Sequence, residues 1–294
     1  MSELPEAGAA APSMPSICCV LRTLNEEELV GRCIDTLRAQ EGFTVEFVVV
    51  DSGSTDKTLE IVGERGVHLI EIDGAALKDF DYSYALNLGI KASSADLILI
   101  LSAHTIPTSN DWLGKIVRHF DDERVVGVYC RQIAWPGAKW DEAARVERSF
   151  PDTSLAYDMR ESRPARRFSN AASCIRRSTW EKLPFELPAA EDLDWAKRVV
   201  EGGWRIIYEA EATAYHSHDE SARNVAQRKI NLARAQDERD GRRRTRARTV
   251  KDALVWMWND AKQVARSKQL GLGGKVGAMG EVLQRGFWFV REFR

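Results

Sequence analysis

The sequence predicts an α/β fold, with a mainly parallel central sheet flanked by helices and a helical extension at the C-terminus. Three observations predict it. Short apolar runs alternate with amphipathic segments over the first half of the chain, the rhythm of parallel strands joined by helical crossovers. Residues 45–50 (VEFVVV) and 96–101 (DLILIL) are almost continuously apolar, as strands covered on both faces must be. The 294 residues are 44% hydrophobic and 29% charged, the balance of a folded globular chain. No apolar run approaches the length of about 18 residues that a membrane-spanning helix requires.

Residues 1–15 are rich in Ala, Pro and Ser and carry Glu3 and Glu6 without a basic stretch, which predicts a frayed start and no secretory signal. Residues 16–22 form the first strand. Residues 26–40 place Leu29, Cys33, Ile34 and Leu37 at helical spacing. After the strand at 45–50, helix 55–65, strand 67–72, helix 84–92, strand 96–101, helix 111–120 and strand 125–129 continue the alternation. Beyond Trp135 the pattern loosens into a helix at 141–150, a basic loop at 160–167, a helix at 191–201 and a strand at 204–208. The five cysteines (Cys18, Cys19, Cys33, Cys130 and Cys174) have no metal-ligand spacing. They read as buried reduced thiols, with Cys18 and Cys19 on opposite faces of one strand, and they predict a cytoplasmic chain.

Five clusters can carry chemistry. Arg22-Thr23-Leu24-Asn25-Glu26, Asp51-Ser52-Gly53-Ser54-Thr55-Asp56 and Ser102-Ala103-His104 each follow a buried strand. Ligands of open α/β sheets bind at such carboxyl ends. Taken singly, the first two also read as helix caps and turns. Glu191 and Asp192 sit at a helix start, where the dipole favours anions. His216 and His218 alternate on a strand, and imidazole there can serve a metal or a phosphate.

Together the clusters resemble a family 2 glycosyltransferase of the GT-A fold, of the bacterial rhamnosyltransferase-like kind, over Ser16 to His218. Arg22 to Glu26 resembles the opening nucleotide-binding motif. Asp51 to Asp56 resembles the acid-acid-Gly-Ser-Thr-Asp turn, with Ser52 in place of the second acid. Asn87-Leu88-Gly89 resembles the Asn-x-Gly of the following helix, and Ser169 to Arg177 the acceptor-side segment. Glu191-Asp192 resembles the Glu-Asp motif that holds the catalytic base.

The resemblance implies an inverting transfer from a nucleoside-diphosphate sugar to a hydroxyl of a glycan, lipid-linked acceptor, in surface polysaccharide biosynthesis. It gives catalysis to Asp192 and Glu191. It gives donor binding to Arg22, Asn25, Glu26, Asp51, Ser52, Gly53, Asn87, Ser102, Ala103, His104 and Arg176. It implies a divalent cation, Mn²⁺ or Mg²⁺. The sequence departs from the family at the metal motif, where Ser102-Ala103-His104 lacks the Asp-x-Asp carboxylates. Three readings follow: His104 and His218 hold the ion, His104 contacts the diphosphate directly, or the chain is an inactive sugar-nucleotide binder or scaffold.

The predicted boundaries are 1–15, a catalytic domain at 16–220 and a basic helical extension at 221–294. The net charge of −2 divides into about −13 before residue 221 and about +11 after it. Val250, Leu254, Met257, Ala261 and Val264 make one apolar helix face flanked by Trp256 and Trp258, and 286–291 repeats the mixture of aromatics and arginine. Such helices suit an anionic membrane surface, here the inner face of the plasma membrane, or packing on the domain or in a homodimer. The run at Arg242 to Arg246 has no base-reading module beside it, so nucleic acid is not an expected partner. Gly271 to Gly277 fails both phosphate-loop patterns and reads as a hinge.

Overall fold

The computed structural model describes residues 14–72, 81–218, 221–239, 241–243, 245–266 and 271–292. The expected frayed start therefore lies outside the described residues up to residue 13. Strands β1 (Ile17–Thr23), β2 (Val45–Asp51), β3 (His68–Glu71) and β4 (Leu97–Ser102) are parallel in the order β3-β2-β1-β4. Helices α1 (Val30–Arg38), α2 (Thr58–Glu64) and α3 (Tyr82–Lys91) make the crossovers. The sheet continues β4-β8-β6-β9-β5, where β5 is Ile106–Pro107, β6 Val125–Ile133, β8 Ala172–Arg176 and β9 Arg205–Tyr215. Strand β7 (Leu155–Tyr157) pairs with β9. Strand β8 runs antiparallel to both β4 and β6, while β6 and β9 are parallel.

Burial on both sheet faces explains the apolar runs. Cys19, Leu21 and Val49 enter one core with α1 and α4 (Trp112–Val117), whereas Cys18, Val20 and Val50 enter the other with α3 and α7 (Glu191–Glu201). All five cysteines are buried and unbridged, as the sequence predicts. Gly89 is a point of close approach between α3 and the sheet. A Cβ there would lie 2.5 Å from Val20 Cγ1 and 2.9 Å from Val50 Cγ2. Gly89→Ala is therefore expected to destabilise the protein by about 1–3 kcal/mol, the usual cost of overpacking, measurable by denaturant titration.

Helix α5 (Trp140–Ser149) and the short α6 (Arg177–Trp180) complete the sheet region, and α8 (Ala222–Arg239), α9 (Arg246–Arg266) and α10 (Leu272–Glu292) follow. The expected hinge at Gly271 to Gly277 is instead the start of α10. Each helical glycine costs about 1 kcal/mol in propensity. Burial of Ala278, Val282 and Phe289 offsets that cost, and Gly286 lets Met257 of α9 pack against the helix backbone. Among the described residues no helix is long and apolar enough to cross a membrane.

Candidate active site

The carboxyl ends of β1, β2 and β4 meet at one rim, with Arg22 opposite both Val50 and Ser102. Two loops leave this rim and grip each other. Asn25 adopts a left-handed conformation (φ 54°). Its N–H donates to Ser54 Oγ at 2.8 Å, and its Oδ1 accepts from Thr55 N at 2.8 Å. Glu26 N donates to Thr58 Oγ1 at 2.7 Å, Glu27 N to Asp56 Oδ2 at 3.1 Å and Lys57 N to Glu27 Oε2 at 2.9 Å.

Asp51 is 1% exposed and orders its own turn. Its Oδ1 accepts from the N–H groups of Gly53 and Ser54, both at 2.8 Å. Its Oδ2 accepts from Thr23 Oγ1 at 2.9 Å and Ser54 Oγ at 2.5 Å. A carboxylate has about four acceptor sites, and donors of the protein itself meet all four here. Gly53, at φ 96°, supplies the left-handed corner that the turn requires. Ser52 is buried and its N–H donates to Thr23 O at 3.0 Å.

Glu191 and Asp192 open α7 just after Ala190, which is held at φ 58°. Glu191 is 5% exposed and accepts from Asn170 Nδ2 at 3.3 Å. Burial, and then the charge of Asp192, pushes its carboxyl up to about 7, against the pull of Arg22. Burial also raises Asp192, which accepts from Leu193 N at 2.7 Å. Arg22 lies over the Tyr82 ring at 4.6 Å, and its Nε and Nη1 are buried with no hydrogen-bond partner among the described residues. A buried guanidinium with unused donors is costly unless an anion arrives to meet it. Asn170 was not foreseen as a site residue, although the segment holding it was.

His104, which follows β4, meets His216 and His218, which follow β9. One ring nitrogen of each lies within 4.8 Å of the others. His104 Nδ1 is 2.6 Å from Glu26 Oε1, and its Nε2 is buried without a hydrogen-bond partner among the described residues. His216 Nδ1 is 2.8 Å from Gln132 Oε1. A carboxylate or amide oxygen on Nδ1–H fixes the tautomer and leaves Nε2 with its lone pair, the support that metal-ligating histidines usually have. Three imidazoles so arranged fit a divalent cation of the Mn²⁺ to Zn²⁺ series and are a poor match for Mg²⁺, which prefers oxygen. His216 was foreseen as a possible ligand beside His218, but not as a partner of His104, and Gln132 was not foreseen. The His-Ser-His tripeptide was the available signal, but nothing local in the sequence ties it to residue 104.

Ala103 is fully buried and donates its N–H to Arg22 O at 3.2 Å, while Ser102 takes its backbone partner from Ala171. Two expected donor-binding residues lie elsewhere. Asn87 donates to Phe185 O at 2.8 Å and accepts from Trp180 Nε1 at 2.9 Å, so its amide pins the segment before α7. Arg176 pairs with Leu97, at the amino end of β4, because β8 runs antiparallel. Its guanidinium caps the carbonyls of Phe120, Asp122 and Val125, at the end of the sheet away from the rim of Arg22 and His104.

The family described as Glycosyl transferase family 2 matches residues 18–181, more than half of the chain. The chain belongs to that family. Relatives that resemble it include two O-antigen chain rhamnosyltransferases. RfbN of Salmonella typhimurium is 28% identical over 223 residues, covering 72% of this chain and 69% of RfbN. WbaN of Salmonella anatum is 27% identical over 226 residues, covering 73% and 70%. Among solved structures, the mannosyltransferase PcManGT from Pyrobaculum calidifontis, in complex with GDP-Man and Mn²⁺, superposes with a TM-score of 0.63 at 17% identity over 96% of this chain and 89% of that one. The fold is thus GT-A and the protein is a glycosyltransferase.

Proposed function

We propose that the protein transfers a sugar, of the rhamnose class, from a nucleoside-diphosphate donor to a hydroxyl of a lipid-linked glycan, inverting the anomeric carbon, during surface polysaccharide assembly. The observation that carries this reading is the buried Glu191 beside the half-buried Asp192, both within electrostatic reach of Arg22, at the rim that also gathers the histidines. The names of the two Salmonella relatives support the sugar class and the polysaccharide role. A lipid-linked acceptor places the reaction at the inner face of the plasma membrane.

Asp192 acts as the base. It takes the acceptor hydroxyl proton as that oxygen forms its bond to the anomeric carbon. The bond from that carbon to the diphosphate breaks on the opposite face, and its electron pair leaves with the diphosphate. Glu191 holds a proton near neutrality and so keeps the pair from carrying two charges. The unused Nε–H and Nη1–H of Arg22 face the negative charge of the leaving group. Asn25, Glu26 and the Ser52–Gly53 turn frame the nucleotide. A divalent cation held by His104, His216 and His218 would supply further positive charge to the diphosphate.

The test measures nucleoside diphosphate released from a panel of sugar nucleotides, with Mn²⁺ and a glycan acceptor, across pH. The wild type is expected to release product and to show an inflection near pH 7 that Glu191→Gln lacks. Stability gives the sign independently. The raised carboxyl contributes fully below its ordinary range, and the contribution is lost as pH rises through about 7. Glu191→Gln should therefore raise the melting temperature at pH 8 and change it less at pH 5. Failure of every sugar nucleotide to yield diphosphate would overturn the reading.

A further inference from the structure

We infer that α9 and α10 form a docking surface for an anionic lipid bilayer. On α9, Leu254, Val255 and Trp258 are 59%, 51% and 62% exposed. On α10, Leu272, Val276, Leu283 and Phe287 are 56–83% exposed. Their spacings of four, seven and four residues put those four on one helix face, about 22 Å long at 1.5 Å per residue. This is the stretch whose glycines suggest a hinge, and its glycines keep the face free of polar side chains.

The opposite side of each helix is occupied. Val264, Ala278 and Val282 are buried together, and Met257 packs on Gly286. Arg285 Nη1 meets Asp141 Oδ2 of α5 at 2.5 Å, anchoring α10 to the sheet region. The two helices are thus a fixed support that leaves its apolar residues outward.

Charge selects the occupant. Lys251, Lys262 and Arg266 are exposed on α9, whereas Asp252 and Asp260 of α9 are half-buried and the acids of α10 are met by cations, Glu281 by Arg285 and Glu292 by Arg223. Lys262 Nζ lies 4.9 Å from the Trp258 ring centroid, and Arg291 reaches over Phe287 and Trp288. Cations beside aromatic and aliphatic groups are the composition of a helix lying in the interface between headgroups and acyl chains. The basic extension meets the anionic surface, and the acidic remainder of the chain is held off it.

The experiment is co-sedimentation of the full chain with vesicles of phosphatidylcholine alone or with 30% phosphatidylglycerol, the latter chosen as roughly the anionic load that attracts basic segments. Binding is expected only to the anionic vesicles and should weaken with salt. The triple substitution Lys251→Gln, Lys262→Gln, Arg266→Gln should lower partitioning on the order of 100-fold, at about fivefold per cation. Trp258→Ala with Phe287→Ala should lower it at least about tenfold, with an unchanged circular dichroism spectrum. Neither assay needs donor or acceptor, so their failure leaves the transfer reaction untouched. No binding to anionic vesicles, or binding unaffected by both variants, would overturn the inference. So would a dimer in light scattering that Phe287→Asp dissolves, because a second copy would then cover the face.

Discussion

Asp192→Asn is expected to reduce transfer by about 10²–10⁴-fold, the range set by loss of a positioned base, while sugar-nucleotide affinity stays close to that of the wild type. Asparagine keeps the volume and can still accept from Leu193 N, so the start of α7 persists. What disappears is the ability to take a proton. Steady-state rates set beside calorimetric donor titration separate the two effects. A variant that transfers normally would move the base to another group. A variant that loses both rate and donor affinity would show that Asp192 orders the site and does not act on the acceptor.

The second large effect concerns the histidines. The wild type is expected to bind Mn²⁺, to bind Co²⁺ and Zn²⁺ more tightly and to respond weakly to Mg²⁺, following imidazole preference. His104→Ala or His216→Ala should abolish measurable Mn²⁺ binding in a paramagnetic-resonance titration. Glu26→Gln, which alters only the group on His104 Nδ1, should weaken it about 10–100-fold. Equal binding of Mg²⁺ and Mn²⁺, or no change on losing His216, would refute the three-imidazole site.

Much of this architecture was legible because its determinants are local. The apolar runs of β1, β2 and β4 declare strands buried on both faces, and parallel pairing then brings residues 22–26, 51–56 and 102–104 to one edge. What stayed hidden depended on direction or distance. An apolar run does not state which way it points, and the antiparallel course of β8 carries Arg176 to the far end of the sheet. Helix α1 begins at Val30, later than its periodicity suggests, because residues 25–27 are committed to the clasp with the second loop. His216 joins His104 only through a long β9 whose pairing with β6 shifts register between Cys130 and Arg131. Asn87 and Gly89 have the residue types of a binding motif, yet both act through packing.

The mutual grip of the loops after β1 and β2 has a thermodynamic consequence. Immobilising backbone costs roughly 1–2 kcal/mol per residue at ambient temperature, and here that ordering is completed when the chain folds. Asn25, Glu26, Ser54 and Thr58 already hold one another, so a nucleotide arriving at this edge meets a stiff cradle and loses little of its affinity to tidying the protein.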